Sequence, residues 1–245
     1  MHTVKRAIIM AAGTGTRMRP VTETTPKPLI WVNGVRMIDT VIQALYKNGI
    51  KEIYIVVGYL KEQFQTLVQE YPGIVLINNP YYDTCNNISS LYVAREQLSD
   101  VIILDGDQVI FEPSILSPEF ALSGYNAMWT DSHTDEWLMT VENGIVTNCS
   151  RTGGEKGWQL YSISRWSAED GQKLRRHLEL EFEEKKNHQI YWDDVALFCH
   201  PEDYTLGIRP MQSGDIVEID SFHELLQIDA SYNTYQTGGD AHEKE

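Results

Sequence analysis

The stretch Val4-Lys5-Arg6-Ala7-Ile8-Ile9-Met10-Ala11-Ala12-Gly13-Thr14-Gly15-Thr16-Arg17 decides how this chain folds. It passes from an apolar block into small residues, two glycines and an arginine. Residues 4–10 read as a buried strand, because the apolar part (7–12) is too short for the core of a signal peptide and runs straight into glycines. Small side chains let the backbone come close to a ligand. Gly13 and Gly15 tolerate positive φ, so successive N–H groups, including those of Thr14 and Thr16, turn inward toward phosphate oxygens. Arg17 adds a permanent cation with fork geometry. Taken alone, a glycine pair after a strand fits an ordinary tight turn as well.

Working outward, strand and helix signals alternate through the first half. Strands are predicted at 53–57, 74–77 and 101–104. Helices are predicted at 38–48 and 61–69, and a third starts at Asn87 as cap and reaches Leu98, with Leu91, Ala94 and Leu98 on one face. That alternation predicts an α/β fold, a three-layer Rossmann-like and mostly parallel sheet with helices on both faces. Ligands of such sheets sit beyond the carboxyl ends of strands. The second half is less regular. Strands at 126–130, 137–141 and 158–163 suggest a mixed β insertion. A helix follows over 167–186, with Leu174, Leu178 and Phe182 at four-residue steps. Short strands at 205–208 and 216–219 precede Ser221-Phe222-His223-Glu224, a capping box that starts a last helix running to about residue 228. We expect one domain over 1–236, with a nucleotide-binding half over about 1–110 and an acceptor-binding half over about 111–236. The small, polar segment 237–245 reads as a disordered tail.

Composition narrows the function. The 245 residues carry a formal charge of −15, which argues against nucleic acid as a partner. No apolar run approaches the roughly 20 residues needed to cross a bilayer, so a membrane is not expected as a partner either. Cys85, Cys149 and Cys199 are odd in number and lack metal-ligand spacing, so a reducing cytoplasm is the expected location. The sequence is silent on oligomeric state.

The glycine loop is not a dinucleotide fingerprint, because Met18 stands where a third glycine is needed, and it lacks the Gly-Lys-Ser/Thr of ATPase phosphate loops. No acidic residue ends the strand at 53–57 to hold a ribose, which disfavours a dehydrogenase. The loop gains specificity from its continuation, Thr22 and then Pro26-Lys27-Pro28-Leu29, with Lys27 as a second cation for a triphosphate. Further on, Leu104-Asp105-Gly106-Asp107 ends a strand with two carboxylates. Mg²⁺ takes hard oxygen ligands, commonly one or two carboxylates with phosphate oxygens and waters. Asp107 is the expected ligand. Asp105 is placed on the nucleotide side, where it binds water or orients the turn. Aromatic and acidic residues alternate at Asp135-Glu136-Trp137 and at Tyr191-Trp192-Asp193-Asp194. Aromatic faces beside negative charge suit an organic cation, although each tryptophan alone also fits an ordinary core position.

Gly-x-Gly-Thr-Arg-x-x-Pro followed by Pro-Lys-Pro-Leu resembles the nucleotidyltransferase signature of sugar-1-phosphate nucleotidylyltransferases and their cytidylyltransferase relatives. The resemblance implies an α/β fold of the nucleotide-diphospho-sugar transferase type, in-line attack on the α-phosphorus of a nucleoside triphosphate, and Mg²⁺ dependence. Val57-Gly58-Tyr59-Leu60-Lys61-Glu62-Gln63-Phe64, Asn86-Asn87-x-x-Ser90-Leu91-Tyr92, Glu136-Trp137, Tyr191-Trp192-Asp193 and Glu218-Ile219-Asp220-Ser221 resemble bacterial CTP:phosphocholine cytidylyltransferases. The likeness runs from about residue 5 to 228. It implies CTP and phosphocholine as substrates, with CDP-choline and pyrophosphate as products. It implies a choline box of Trp137, Tyr191 and Trp192 with charge from Asp193, and a base site of Asn86, Ser90 and the backbone of Ala11 and Ala12. It also implies Asp220 as the second metal ligand, although an aspartate just before a helix equally stabilises the helix dipole. Arg17 and Lys27 are then the catalytic cations. Residues 150–156, glycine-rich and charged, depart from that pattern, as does Gln108. The nearest alternative acceptor is 2-aminoethylphosphonate, followed by a sugar 1-phosphate. A non-catalytic regulatory module of the same fold should lack Arg17, Lys27 or a metal aspartate, and none is missing.

Overall fold

The computed structural model describes residues 1–237. The segment expected to be a tail lies, beyond Thr237, outside the described residues. The first strand, β1 (Arg6–Ala11), is followed by α1 (Met37–Lys47), β2 (Glu52–Val57), α2 (Gln65–Glu70) and β3 (Ile74–Asn78). Then come α3 (Ile88–Val93), β4 (Val101–Asp105) and β5 (Gln108–Ile110). Strands β6 (Gly124–Thr130), β7 (Leu138–Glu142), β8 (Ile145–Ser150) and β9 (Gly157–Trp166) form the next block. The chain ends with α4 (Ala168–Glu179), β10 (Gly207–Met211), β11 (Ile216–Glu218) and α5 (Phe222–Ile228), before two short helical turns, Ala230–Asn233 and Thr234–Thr237.

Nine strands make one sheet in the order β6-β10-β8-β7-β9-β4-β1-β2-β3. Strand β1 is parallel to β2 and β4, and β2 is parallel to β3. Alternation along β1 explains the three layers, since successive side chains of a strand face opposite sides. Ala7, Ile9 and Ala11 pack into one core with Ile38, Ile42 and Leu45 of α1 and Leu67 of α2. Ile8, Met10 and Ala12 pack into a second core with Leu91 of α3 and Leu174 and Leu178 of α4. A strand buried on both faces must be apolar throughout, which is how residues 7–12 read.

The mixed insertion is not a separate sheet. Strand β9 pairs antiparallel with β4, Ile163 opposite Leu104 and Trp166 opposite Val101, so the second half extends the sheet begun by the first. Strand β8 is not among the strands expected from sequence. It returns from β7 through Asn143-Gly144, both at positive φ, as two-residue hairpin turns require.

Several expected boundaries moved. The helix predicted over 61–69 begins as a 3₁₀ turn, Lys61–Phe64. The helix predicted from Asn87 to Leu98 ends at Val93 and gives way to a 3₁₀ turn, Arg95–Gln97. Asn87 does not cap it with its side chain. Its Oδ1 instead accepts from Trp192 N at 2.9 Å, tying α3 to a distant segment. The helix predicted over 167–186 is α-helical to Glu179 and continues as a π turn, Leu180–Glu184, still burying Phe182. Residues 192–194, read only as aromatic and acidic, form a helical turn, Trp192–Asp194, and the stretch after them, given no element in the sequence, forms a π turn, Val195–Cys199. No described helix is long and apolar enough to cross a membrane.

Candidate active site

The carboxyl ends of β1 and β4 open onto a cleft of about 350 Å³ lined by Met10, Ala11, Gly13, Gly15, Thr16, Arg17, Lys27, Pro28, Asp105, Asp107 and Asp220. The loop after β1 shapes its rim. Gly15 adopts the left-handed conformation at φ 62°, and Thr22 Oγ1 donates to its carbonyl at 2.8 Å. A side chain at Gly15 would press on Lys27 Cβ at 3.1 Å, so this glycine lets the loop lie against the lysine.

Lys27 is the hinge of the charge arrangement. It is buried, and its Nζ donates to Asp107 Oδ2 at 2.6 Å and Asp220 Oδ1 at 2.7 Å. Burial alone would lower its pKa, but the two carboxylates outweigh burial and hold it above the ordinary lysine value. Burial works in the other direction on Asp220, pushing it up. Lys27 and Arg17 prevail there and hold that carboxyl below its usual range, with Arg17 Nη2 at 3.2 Å. Three chain segments separated by 80 and 193 residues thus meet at one ammonium group. No described residue hydrogen-bonds Asp107 Oδ1 or Asp220 Oδ2. Two hard oxygens on the cleft that the glycine loop also lines are the donor set that Mg²⁺ prefers, so these residues fit a bound dication.

Asp220 is held from behind. Its N–H and that of Ser221 both donate to Glu224 Oε2, at 2.7 and 2.9 Å, and Ser221 Oγ accepts from Glu224 N at 3.3 Å. The capping box read in the sequence therefore also orients the aspartate beside it. Asp105 lies at the floor, and burial, then Asp107, Asp193 and Glu218, raises its carboxyl well above the usual range.

A second cleft of about 230 Å³ shares Arg17, Asp105, Asp107 and Asp220 with the first, and adds Asn87, Glu136, Trp137, Leu160, Ser162, Tyr191, Asp193 and Glu218. Trp137 and Tyr191 meet edge to face at 5.7 Å. Burial pushes the carboxyls of both Asp193 and Glu218 up to about 7. Asp193 Oδ1 is buried beside the Tyr125 hydroxyl, which favours the charged carboxylate but is outweighed by burial. Glu218 accepts from Gln108 Nε2 at 2.8 Å. That pairing gives Gln108, one of the departures noted in the sequence, a structural place.

The predicted residues do not all converge. Ala11, Gly13, Gly15, Thr16, Arg17, Lys27, Asp105, Asp107 and Asp220 line the first cleft, and Trp137, Tyr191 and Asp193 line the second. Ala12 and Thr14 lie beside the lining residues without being among them. Trp192 is corrected. Only 2% exposed, it packs against Tyr125 and Trp166 at 6.2 Å each, inside the core rather than on the pocket wall. The alternation of Tyr191 outward and Trp192 inward is set by the helical turn they begin. Asn86 and Ser90 line neither cleft. Asn86 Nδ2 donates to Gln189 O at 3.1 Å, and Ser90 Oγ accepts from buried Asn79 at 3.0 Å. Leu160 and Ser162 were missed. They lie two apart on β9 and so face the same way, a period-two signal that only the sheet's register makes visible. The departing segment 150–156 also acquires a role: Arg151 lies over the Phe198 ring at 3.7 Å and bonds Asp194 through Nε at 2.8 Å, bracing the wall that carries Tyr191 and Asp193.

Comparison with known proteins shows the family. The Nucleotidyl transferase family matches residues 6–113. The chain is 41% identical over 229 residues to the 2-aminoethylphosphonate cytidylyltransferase of Lancefieldella rimae, covering 92% of each chain. It is 31% identical over 224 residues to the choline-phosphate cytidylyltransferase of Streptococcus pneumoniae, covering 91% of this chain and 96% of that one. The solved structure of the CTP:phosphocholine cytidylyltransferase from Streptococcus pneumoniae superposes with a TM-score of 0.86 at 31% identity, over 94% of this chain and 99% of that one.

Proposed function

The chain belongs to the nucleotidyl transferase family and is a cytidylyltransferase for a small phosphorylated substrate, and from that premise we propose that it transfers CMP from CTP to 2-aminoethylphosphonate. The observation that carries the acceptor is the wall of the second cleft. Glu136, Asp193 and Glu218 with the Ser162 hydroxyl offer several hydrogen-bond acceptors. A primary ammonium brings three N–H donors and a charge, and satisfies such a wall. A quaternary ammonium brings the charge without the donors. The 41% identity to a protein named for this acceptor supports the same reading.

A second reading, phosphocholine, is favoured by the edge-to-face pair of Trp137 and Tyr191, since ring faces attract such a cation by about 0.5–2 kcal/mol each. Trp192, buried elsewhere, is not available as a third face. A sugar 1-phosphate has no positive charge to answer the acidic wall.

The chemistry follows from placement. A phosphonate oxygen of the acceptor attacks the α-phosphorus, a P–O bond forms, the bond from that phosphorus to the bridging oxygen breaks, and pyrophosphate leaves. The nucleophile is already an anion, so no general base and no covalent enzyme intermediate is needed. Catalysis reduces to orientation and to stabilising charge on the phosphoryl oxygens. The loop from Gly13 to Arg17 receives the triphosphate, and Arg17 and Lys27 face the charge that builds at the junction of the two clefts. Asp107 and Asp220 would hold Mg²⁺, which when bound neutralises triphosphate charge. The test is competition between 2-aminoethylphosphonate and phosphocholine at limiting CTP with Mg²⁺, followed by pyrophosphate release. We expect kcat/KM to favour the primary amine by tenfold or more, about 1.4 kcal/mol. Preference for phosphocholine would replace the acceptor, and no turnover with either would remove the reading.

A further inference from the structure

Away from both clefts, α4 and the segment after the π turn bring together His177, His200 and Asp203, none of which lines either cleft. The two imidazoles stack in parallel, centroids 3.9 Å apart and planes 6° apart. Each ring has one nitrogen already engaged. His177 Nδ1 lies 2.8 Å from the Tyr204 hydroxyl, and His200 Nε2 lies 2.8 Å from Glu181 Oε1. Glu181 is itself fully buried and is fixed by Lys185 at 2.6 Å and Asn187 at 2.5 Å. The remaining nitrogens, His177 Nε2 and His200 Nδ1, lie 3.5 and 3.9 Å from the same oxygen, Asp203 Oδ2. All three atoms fall within 4.8 Å of one another.

Separations of 3.5 and 3.9 Å are long for direct hydrogen bonds and within reach of a shared ion once the parallel rings tilt toward it. Ligands about 2.0–2.1 Å from a tetrahedral ion lie about 3.3–3.4 Å from each other. The outer nitrogens held by a phenol and a buried carboxylate reproduce the second layer that orients metal-bound histidines. We propose that His177, His200 and Asp203 form a second metal site, separate from the Asp107–Asp220 pair, for a dication of the zinc or cobalt type. Two imidazoles and one carboxylate select such ions over Mg²⁺, which takes oxygen. The half-exposed Asp203 leaves a coordination position to solvent. The ion staples α4 to the stretch that begins at Tyr191 and carries Asp193, and so braces the outer wall of the acceptor cleft.

The experiment uses the full chain without a histidine tag, stripped with a chelator and titrated with CoCl₂ or ZnCl₂ against a chromophoric chelator. One tight equivalent is expected, with a visible Co²⁺ absorption that Zn²⁺ bleaches. Affinity should fall about tenfold or more in His200→Ala and in Asp203→Asn, and should persist in the Asp107→Asn, Asp220→Asn double variant. Absence of a tight equivalent overturns the site, as does one that survives both His200→Ala and Asp203→Asn or vanishes in the double variant. Asp203→Asn keeps shape at a half-exposed position, so the test stands even if His200→Ala does not fold. Metal binding is read without turnover, so its failure leaves cytidylyl transfer intact.

Discussion

At the scale of single residues, the site turns on Lys27. A buried ammonium between two carboxylates stays charged through the neutral range, and removing it leaves both carboxylates to repel each other. Lys27→Met is therefore expected to lower kcat by about 10²–10³, the usual loss for one preorganised charge donor. Its stability loss should shrink when Mg²⁺ is added, as thermal melts with and without the ion will show; equal turnover to wild type would remove Lys27 from the chemistry. Asp193 makes a different prediction. Burial pushes its carboxyl up to about 7, so below that value it is neutral and offers the acceptor's ammonium no charge. The kcat/KM for 2-aminoethylphosphonate should rise as pH increases through about 7. In Asp193→Asn the rise should weaken to what Glu218 in the same wall supplies, and kcat/KM should drop about 30-fold, the equivalent of about 2 kcal/mol for a truncated buried charge pair. An unchanged profile in the variant places the titration elsewhere. Both residues could be singled out in the sequence for a reason of type: a lysine between prolines, an aspartate beside aromatics. The fate of Trp192 could not, because whether an aromatic faces a pocket or the core depends on which way a three-residue helical turn points.

At the scale of elements, the last helix shows one motif with two duties. Glu224 closes the capping box and also receives the N–H of Asp220. Glu224→Ala should cost about 0.5–2 kcal/mol of stability, as lost caps do, measured by urea unfolding. It should also raise several-fold the Mg²⁺ concentration for half-maximal activity; a pure stability loss with an unaltered Mg²⁺ curve would confine Glu224 to the cap. Strands β1, β2 and β4 and helix α1 of the first half were legible because each buries apolar side chains along its length, which leaves a pattern in the sequence. Strand β8 was not, because Ile145 is exposed and Cys149 buried among polar neighbours, so its alternation is weak. Asn143-Gly144 was the available signal. The π turn Val195–Cys199 left none, since it exists to follow contacts made by the rest of the fold.

At the scale of the whole molecule, the two halves share a sheet. Strand β9 pairs its last four residues with β4, pairs with β6 from Gly157 to Arg165, and meets β7 at Trp158 and Gln159. Calorimetry should therefore show a single transition with equal calorimetric and van't Hoff enthalpies; two resolved transitions would divide the chain into independent units. The same continuity is why two clefts can have a common wall of Arg17, Asp105, Asp107 and Asp220. That wall also sets an order of arrival. An acceptor reaching the free chain would press its phosphonate dianion against the carboxylates of Asp107 and Asp220, and like charges so juxtaposed cost several kcal/mol. Once nucleotide and dication have docked, the wall turns from repelling to attracting. Turnover should run as a queue, with labelled aminoethylphosphonate retained at equilibrium only when Mg²⁺ and a non-hydrolysable CTP analogue are already in place, and with firm retention by the free chain meaning that either guest can enter first.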